Sequence, residues 1–92
     1  METTTAKVAK SYSVTIVTKY LGATDHRGSQ IRVQRGNGGN TKETRLTVSW
    51  DYELDPADNH AQAIQQYLEH MGWDGTWIIG AGEYGYTAVK AQ

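Results

Sequence analysis

The 92-residue chain contains no cysteine, no phenylalanine and only one proline. Without cysteine it can form neither a disulfide framework nor a metal site with thiolate ligands. No apolar run approaches the roughly 20 residues that a membrane-spanning helix needs, and residues 1–10 lack the apolar segment of a signal peptide. We therefore expect a soluble cytoplasmic protein that does not contact membranes. Its core must combine Val, Ile and Leu with the rings of three Trp and six Tyr.

Charge is divided unevenly along the chain, although the net charge is only −1. Residues 1–50 contain eight Lys and Arg against three acidic residues, whereas residues 51–92 contain one Lys against seven acidic residues. Such asymmetry is typical of a polarised surface with a charged partner. An alternative stays open, in which folding interleaves the two halves and water solvates both signs.

The strongest helical signal lies in residues 55–73. Asp55 is a suitable N-cap, Pro56 stands at the first helical position, and Gly72 predicts a left-handed stop. Apolar residues recur every three or four positions and so line one face of the helix. They are Ala57, Ala61, Ile64, Leu68 and Met71. A single apolar stripe must be buried against another element, and the rest of the chain predicts a sheet.

Five segments are rich in β-formers, most with alternating apolar and polar residues, which is typical of strands. They span residues 12–20, 30–35, 44–50, 76–79 and 84–89. Together with the helix they predict an α+β fold of order β-β-β-α-β-β, with one helix packed on one face of a small antiparallel sheet. The place of the last two strands in that sheet stays open. The predicted core consists of Ile16, Ile31, Val33, Leu46, Val48, Trp50, Ile64, Leu68 and Trp77.

The two ends of the chain differ in pattern. Residues 1–10 are polar and unpatterned, and we expect them to form a disordered tail. Residues 11–92 are expected to form the single α+β domain.

Several motifs that could carry chemistry have simpler explanations. Residues 80–85 spell G-x-G-x-x-G, but strand formers follow in place of the helix that a dinucleotide site requires, so a hairpin turn is predicted. Pro56 interrupts the acidic cluster of residues 51–58 where a calcium loop needs glycine, which favours helix capping. His60 and His70 are too far apart on one helix to share an ion. We predict no catalytic residue, no metal site and no cofactor.

The loop of residues 20–31 is chemically richer than a plain connection requires. Arg27 and Ser29 could present a guanidinium fork and a hydroxyl to a phosphate or a carboxylate. A structural interpretation is also open, in which Asp25 pairs with Arg27 across the turn and Gly28 adopts a positive φ.

The same loop has the pattern Tyr-x-Gly-x-Thr-x-x-Arg-Gly-Ser-x-Ile, which resembles small uncharacterised proteins of phages and other bacterial mobile elements. Trp-Asp-Tyr at residues 50–52, Asn-His at 59–60 and Gly-Trp at 72–73 are similar too, so the resemblance covers residues 18–79. It implies a small accessory protein of a mobile element. Such proteins often bind host defence or replication machinery, as anti-CRISPR and anti-restriction proteins do. The resemblance brings no catalytic residue with it.

Two classes of function follow. The first is a non-catalytic binding protein of phage or mobile-element origin, monomeric or homodimeric, that acts on a host protein or ribonucleoprotein complex. The second is a nucleic-acid-binding accessory protein that uses a basic sheet face. Alternation places Arg32 and Arg45 on the face opposite the helix. The predicted partner-binding residues are Arg27, Ser29, Arg32, Arg35 and Arg45, with Tyr20 available for stacking on a base.

Overall fold

A computed structural model describes residues 14–36, 38–82 and 85–91. The predicted tail of residues 1–10 lies outside the described residues, as do the starts of the first and last predicted strands. The elements are β1 (Ile16–Leu21), β2 (Gln30–Arg35), β3 (Arg45–Ser49), α1 (Pro56–Met71), β4 (Trp77–Ala81) and β5 (Tyr86–Lys90).

The five strands form one antiparallel sheet in the order β3-β2-β1-β5-β4, and α1 packs on one of its faces. This confirms the predicted α+β fold and its β-β-β-α-β-β order. The structure also places the last hairpin, which the sequence left open: β5 pairs with β1, so β3 and β4 become the two edges. The chain crosses from one edge to the other through α1.

Both ends of α1 are capped as the sequence predicts. The Asp55 carboxylate accepts a hydrogen bond from the Asp58 backbone N–H at 2.8 Å, and Gly72 ends the helix at φ 70°, a conformation that glycine adopts without a steric penalty. Asn59 adds an anchor that the sequence did not reveal. Its buried amide accepts from the Asp51 N–H and donates to the Asp51 carbonyl, both at 2.8 Å.

The core lies between α1 and the β1–β2 centre of the sheet. Five predicted core residues are buried: Ile16, Ile31, Val33, Ile64 and Leu68. The other four are partly buried and pack against them: Leu46, Val48, Trp50 and Trp77. The core also includes Ala63, Tyr67 and Ala88, which the prediction did not contain.

The buried stripe of α1 is rotated from the predicted one. Ala57 and Ala61 are only half-buried, whereas His60 and Tyr67 are almost completely buried. The reason lies in where the helix sits: α1 contacts β2 and β3 more than β5, and the Tyr67 hydroxyl donates to the Thr44 carbonyl beside β3 at 2.7 Å. The helix is therefore turned towards the β3 edge. In the described part of the chain, no helix is long and apolar enough to cross a membrane.

Candidate functional site on the open face of the sheet

The sheet has one face covered by α1 and one face that no described element covers. Burial alternates over residues 16–19 of β1 and 30–34 of β2, and the strand register extends this assignment of successive residues to the two faces. The open face carries charged and polar residues near β3 and apolar residues near β4. From β3 to β4 these are Arg45, Thr47, Ser49, Gln30, Arg32, Gln34, Val17, Lys19, Leu21, Thr87, Val89, Ile78 and Gly80.

Three cations lie together on this face, and we call Lys19, Arg32 and Arg45 the basic patch. Lys19 stands directly opposite Arg32 in the β1–β2 register. Arg32 faces Thr47 across β2–β3, while Arg45 faces Gln34, so the two arginines are diagonal neighbours. Directly opposed side chains have Cβ atoms about 4.5–5.5 Å apart and diagonal ones lie at about 7–8 Å, so like charges here repel one another.

No carboxylate among the described residues of the open face offsets this charge. The one ion pair within the described ranges joins Lys90 to Asp74 at 3.5 Å, at the far side of the sheet. Glu43 is near in sequence, but its own backbone N–H and then the Thr41 side chain hydrogen-bond its carboxylate, and both contacts lower its pKa. No ion pair joins Glu43 to the basic patch among the described residues.

A cavity of about 450 Å³ adjoins the basic patch. Lys19, Arg32 and Gln34 line one side of it, and Gly82, Gly85, Tyr86 and Thr87 line the other. Glycine at position 85 allows the β4–β5 hairpin to approach β1 closely, because a Cβ atom there would collide with the Thr18 carbonyl. An ammonium, a guanidinium and an amide thus border one concave space, which suits a carboxylate or phosphate group of a partner.

Arg27 folds onto its own turn. Its guanidinium donates to the Gly22 carbonyl at 3.1 Å and to the Gly28 carbonyl at 3.0 Å. The ion pair with Asp25 that the structural interpretation assumed is absent from the described residues, and Gly28 does not have the expected positive φ. The Arg27 guanidinium is thus used in hydrogen bonds to carbonyl groups of its own turn, and Arg27 is not part of the basic patch.

Ser29 and Tyr20 point away from the open face. The Ser29 hydroxyl is buried and hydrogen-bonds the Tyr20 hydroxyl at 2.7 Å. The Tyr20 ring packs edge-on against Trp50, with centroids 4.9 Å apart. These two residues of the loop pattern therefore stabilise the turn between β1 and β2 on the helix side of the sheet.

Arg35 also lies on the helix side, in the same row as Ile31 and Val33. Its guanidinium donates to the Gly39 carbonyl at 2.8 Å, and its positive charge lies near enough to Tyr67 to oppose the rise that burial causes in the pKa of that phenol. The two-residue period of β2 could have shown this, because Arg35 follows Val33 by two positions. Of the five predicted partner-binding residues, the open face therefore brings together Arg32 and Arg45.

Lys19 is the member of the basic patch that the predicted site did not include. Alternation along β1 puts it opposite to Ile16 and Thr18, and this signal is visible in the sequence. What the sequence does not give is the register that sets Lys19 directly across from Arg32. Pairing register depends on the turn between β1 and β2, whose geometry Arg27 and Thr24 fix.

A second polar cluster is buried beneath α1. Thr18 Oγ1 lies 2.6 Å from His60 Nδ1 and accepts a hydrogen bond from the Tyr86 N–H at 2.9 Å. The imidazole packs against the Tyr86 ring at 4.6 Å, and burial lowers the pKa of His60. This cluster ties α1 to β1 and β5. Within the described ranges, no three His, Asp or Glu side chains lie close enough to hold a metal ion.

Comparison of the chain with protein-family models, with curated proteins and with solved structures finds no match.

Proposed function

We propose that this protein is a non-catalytic binding protein that attaches to an acidic surface of a host protein or ribonucleoprotein complex through the open face of its sheet. The observation that carries the proposal is the basic patch. Lys19, Arg32 and Arg45 repel one another on a face without a described carboxylate. In the unbound protein, the repulsion between these cations lowers stability. An anionic partner would be attracted by the same cations, which would also steer its association.

A protein surface suits this face better than a nucleic acid does. Ile78 and Val89 are 58% and 40% exposed beside the polar half of the same face. Apolar residues next to cationic ones are typical of protein interfaces, where an apolar centre is surrounded by a polar rim. The ring predicted to stack on bases, Tyr20, packs against Trp50 on the other side of the sheet.

Nucleic acid is the second candidate, and the cavity beside the basic patch is what favours it. Lys19, Arg32 and Gln34 border a space large enough for a phosphate group. Binding of this kind would follow the phosphate backbone, so it would depend little on sequence and strongly on salt.

The biological setting is part of the proposal and is supported by the loop resemblance. We propose that the protein acts for a phage or mobile element as an anti-defence inhibitor similar to anti-CRISPR proteins. Because Tyr20, Arg27 and Ser29 build the turn itself, the resemblance supports a shared local structure. The partner-binding role is supported by the basic patch.

The test is a charge-reversal experiment with capture from a bacterial lysate. Arg32→Glu combined with Arg45→Glu should remove most of the captured partner, because two attractions become repulsions, while the circular dichroism spectrum stays unchanged. The single reversals should each weaken capture. Lys42→Glu is the matched control, since it makes the same charge change as one single reversal at an exposed loop position.

Gel shifts with DNA and RNA at two salt concentrations separate the two candidates. Binding that is lost at the higher salt for every sequence tested, and lost in the double variant, would favour the nucleic-acid candidate. The proposal fails if the double variant captures its partner as well as the parent, while substitutions of Gln62, Gln66 and Glu69 on the exposed side of α1 abolish capture.

A further inference from the structure

The β4 edge of the sheet is open and apolar. No described strand pairs with the outer side of β4. The sequence of β4 is Trp-Ile-Ile-Gly-Ala, which contains no charged residue. Ile78 is 58% exposed on one face. On the other face, Trp77 and Ile79 border a cavity of about 380 Å³ between β4 and α1. Proteins usually protect such edges with charge, proline or a covering element, because an unprotected edge recruits another strand.

Backbone hydrogen bonds show which residues of β4 face outward. The Ala91 N–H donates to the Thr76 carbonyl, and the Gly82 N–H donates to the Gly85 carbonyl, both at 2.7 Å. Bonded pairs alternate along an antiparallel ladder, so Ile78 and Gly80 direct their backbone groups to β5. The N–H and C=O groups that point away from the sheet belong to Trp77, Ile79 and Ala81.

We propose that β4 pairs with β4 of a second copy of this chain, antiparallel and around a two-fold axis at Ile79, to form a continuous ten-stranded sheet. This register makes Ile79 a bonded pair with Ile79 of the second copy. Trp77 then forms a bonded pair with Ala81 of the second copy. All three outward-facing residues find backbone partners in this way, which no register shifted by one residue would achieve.

Side-chain size supports the same register. On the helix side, the large Trp77 ring lies opposite the small Ala81 of the second copy. On the open face, Ile78 lies opposite Gly80, where an added Cβ would meet no atom within 4 Å. Trp77 and Ile78 are thus each set against a small residue, Ile79 lies against its own copy, and the strand carries no charge to repel its copy. A self-pairing interface must be complementary to itself in this way.

The contrast with the β3 edge points to self-pairing through β4 alone. β3 carries Arg45, and an antiparallel pairing of β3 with itself would bring cations of the basic patch towards one another. Pairing through one five-residue strand should bury less surface than a standard interface of roughly 1,600 Å². The fraction of dimer should therefore depend on protein concentration. The basic patch lies on β1–β3 and stays accessible, so this proposal and the proposed function can fail independently.

Single-cysteine cross-linking tests the register, because the chain contains no cysteine of its own. In the proposed dimer, the Cα atoms at position 79 lie about 5.5 Å apart, within the range of about 4.4–6.8 Å that a disulfide spans. Ile79→Cys should therefore cross-link under mild oxidation. Ala81→Cys is the matched control, because its Cα atoms lie about 14 Å apart in this register and should not cross-link.

A second pair of variants avoids the partly buried position 79. Ile78→Cys and Gly80→Cys each sit on the open face, and these residues are directly opposite one another in the proposed dimer. A mixture of the two proteins should cross-link several-fold more than either protein alone. Thr47→Cys on β3 serves as the control for random collision, since Thr47 is also exposed and lies at the other edge of the sheet.

Sedimentation of the cysteine-free protein completes the test. A mass that rises from one chain towards two with concentration, together with the predicted cross-linking pattern, supports the proposal. A monomer at all concentrations up to the millimolar range overturns it, as does equal cross-linking of Ile79→Cys, Ala81→Cys and Thr47→Cys. Cross-linking of Ile79→Cys that needs removal of residues 1–10 would also overturn it, because the tail would then occupy the edge.

Discussion

The two edges of this sheet are built differently, although both are five-residue strands. At the β3 edge, Arg45, Thr47 and Ser49 alternate with half-buried Leu46 and Val48, and Tyr67 of α1 fastens the helix to the adjoining loop. At the β4 edge, the strand is uncharged, and a cavity separates it from α1. At the β3 edge the helix packs against the sheet and the charged side chain lies on the open face, so this edge suits a charged partner. At the β4 edge the outer backbone groups have no described partner strand, so this edge suits another strand.

If the helix is anchored on the β3 side, Tyr67→Ala should be the most destabilising single change. Tyr67 is fully buried, and truncating a buried aromatic residue costs about 3–5 kcal/mol. Leu68 borders the cavity beside β4, so we expect Leu68→Ala to lie near the lower end of the usual range of about 2–5 kcal/mol. Urea unfolding of both variants measures the difference.

Tyr67→Phe is the control that separates packing from hydrogen bonding. It keeps the ring but leaves the Thr44 carbonyl without its donor, which should cost about 1–3 kcal/mol. If Leu68→Ala costs more than Tyr67→Ala, the helix is held mainly from the β4 side and the comparison of the two edges is wrong.

A smaller effect should come from His60, which joins α1 to the middle of the sheet. Burial lowers the pKa of His60 in the folded protein, whereas the unfolded chain has a pKa of about 6.5. Between these two values the unfolded chain binds more protons, so stability falls as pH drops below about 6.5 and is fully present above it. Urea midpoints measured between pH 5 and 8 should show this slope.

His60→Gln tests whether His60 causes that slope. The variant should lose stability at every pH because its contacts with Thr18 and Tyr86 change, but it should show a flatter pH dependence between pH 5 and 7. An unchanged slope would assign the proton uptake to another group.

Sequence patterns predicted the fold better than they predicted the surface. The caps of α1 and the alternation of the strands depend on neighbours in the chain, so Asp55, Gly72, Ile31 and Val33 were placed correctly. The rotation of α1 depends on long-range contacts, which is why the predicted apolar stripe includes Ala61 and not His60. A buried histidine bonded to Thr18, 42 positions away, leaves no local signal.

The candidate site shows the same division. Strand parity was enough to put Arg32 and Arg45 on one face, and applied consistently it would have excluded Arg35. The pairing of Lys19 with Arg32 and the placement of β5 beside β1 need the register and the strand order. Those depend on turn geometry and on the path of α1 across the sheet.

The smallest expected effect on stability is also the sharpest test of what the β3 side is for. Lys19→Glu replaces a like-charged cross-strand pair with an opposite pair, because the new carboxylate would face Arg32 in the β1–β2 register. We expect a stabilisation of about 0.2–1 kcal/mol that shrinks as salt is added, measured as a shift in the urea midpoint. Lys19→Gln should give part of this gain, since it removes the repulsion without adding an attraction.

Both variants should bind the captured partner more weakly than the parent, and Lys19→Glu should bind it most weakly. A gain in stability together with a loss of binding would show that Lys19 is kept on this face for its partner. If Lys19→Glu is more stable and binds equally well, the basic patch does not extend to β1, and the interface is limited to Arg32 and Arg45.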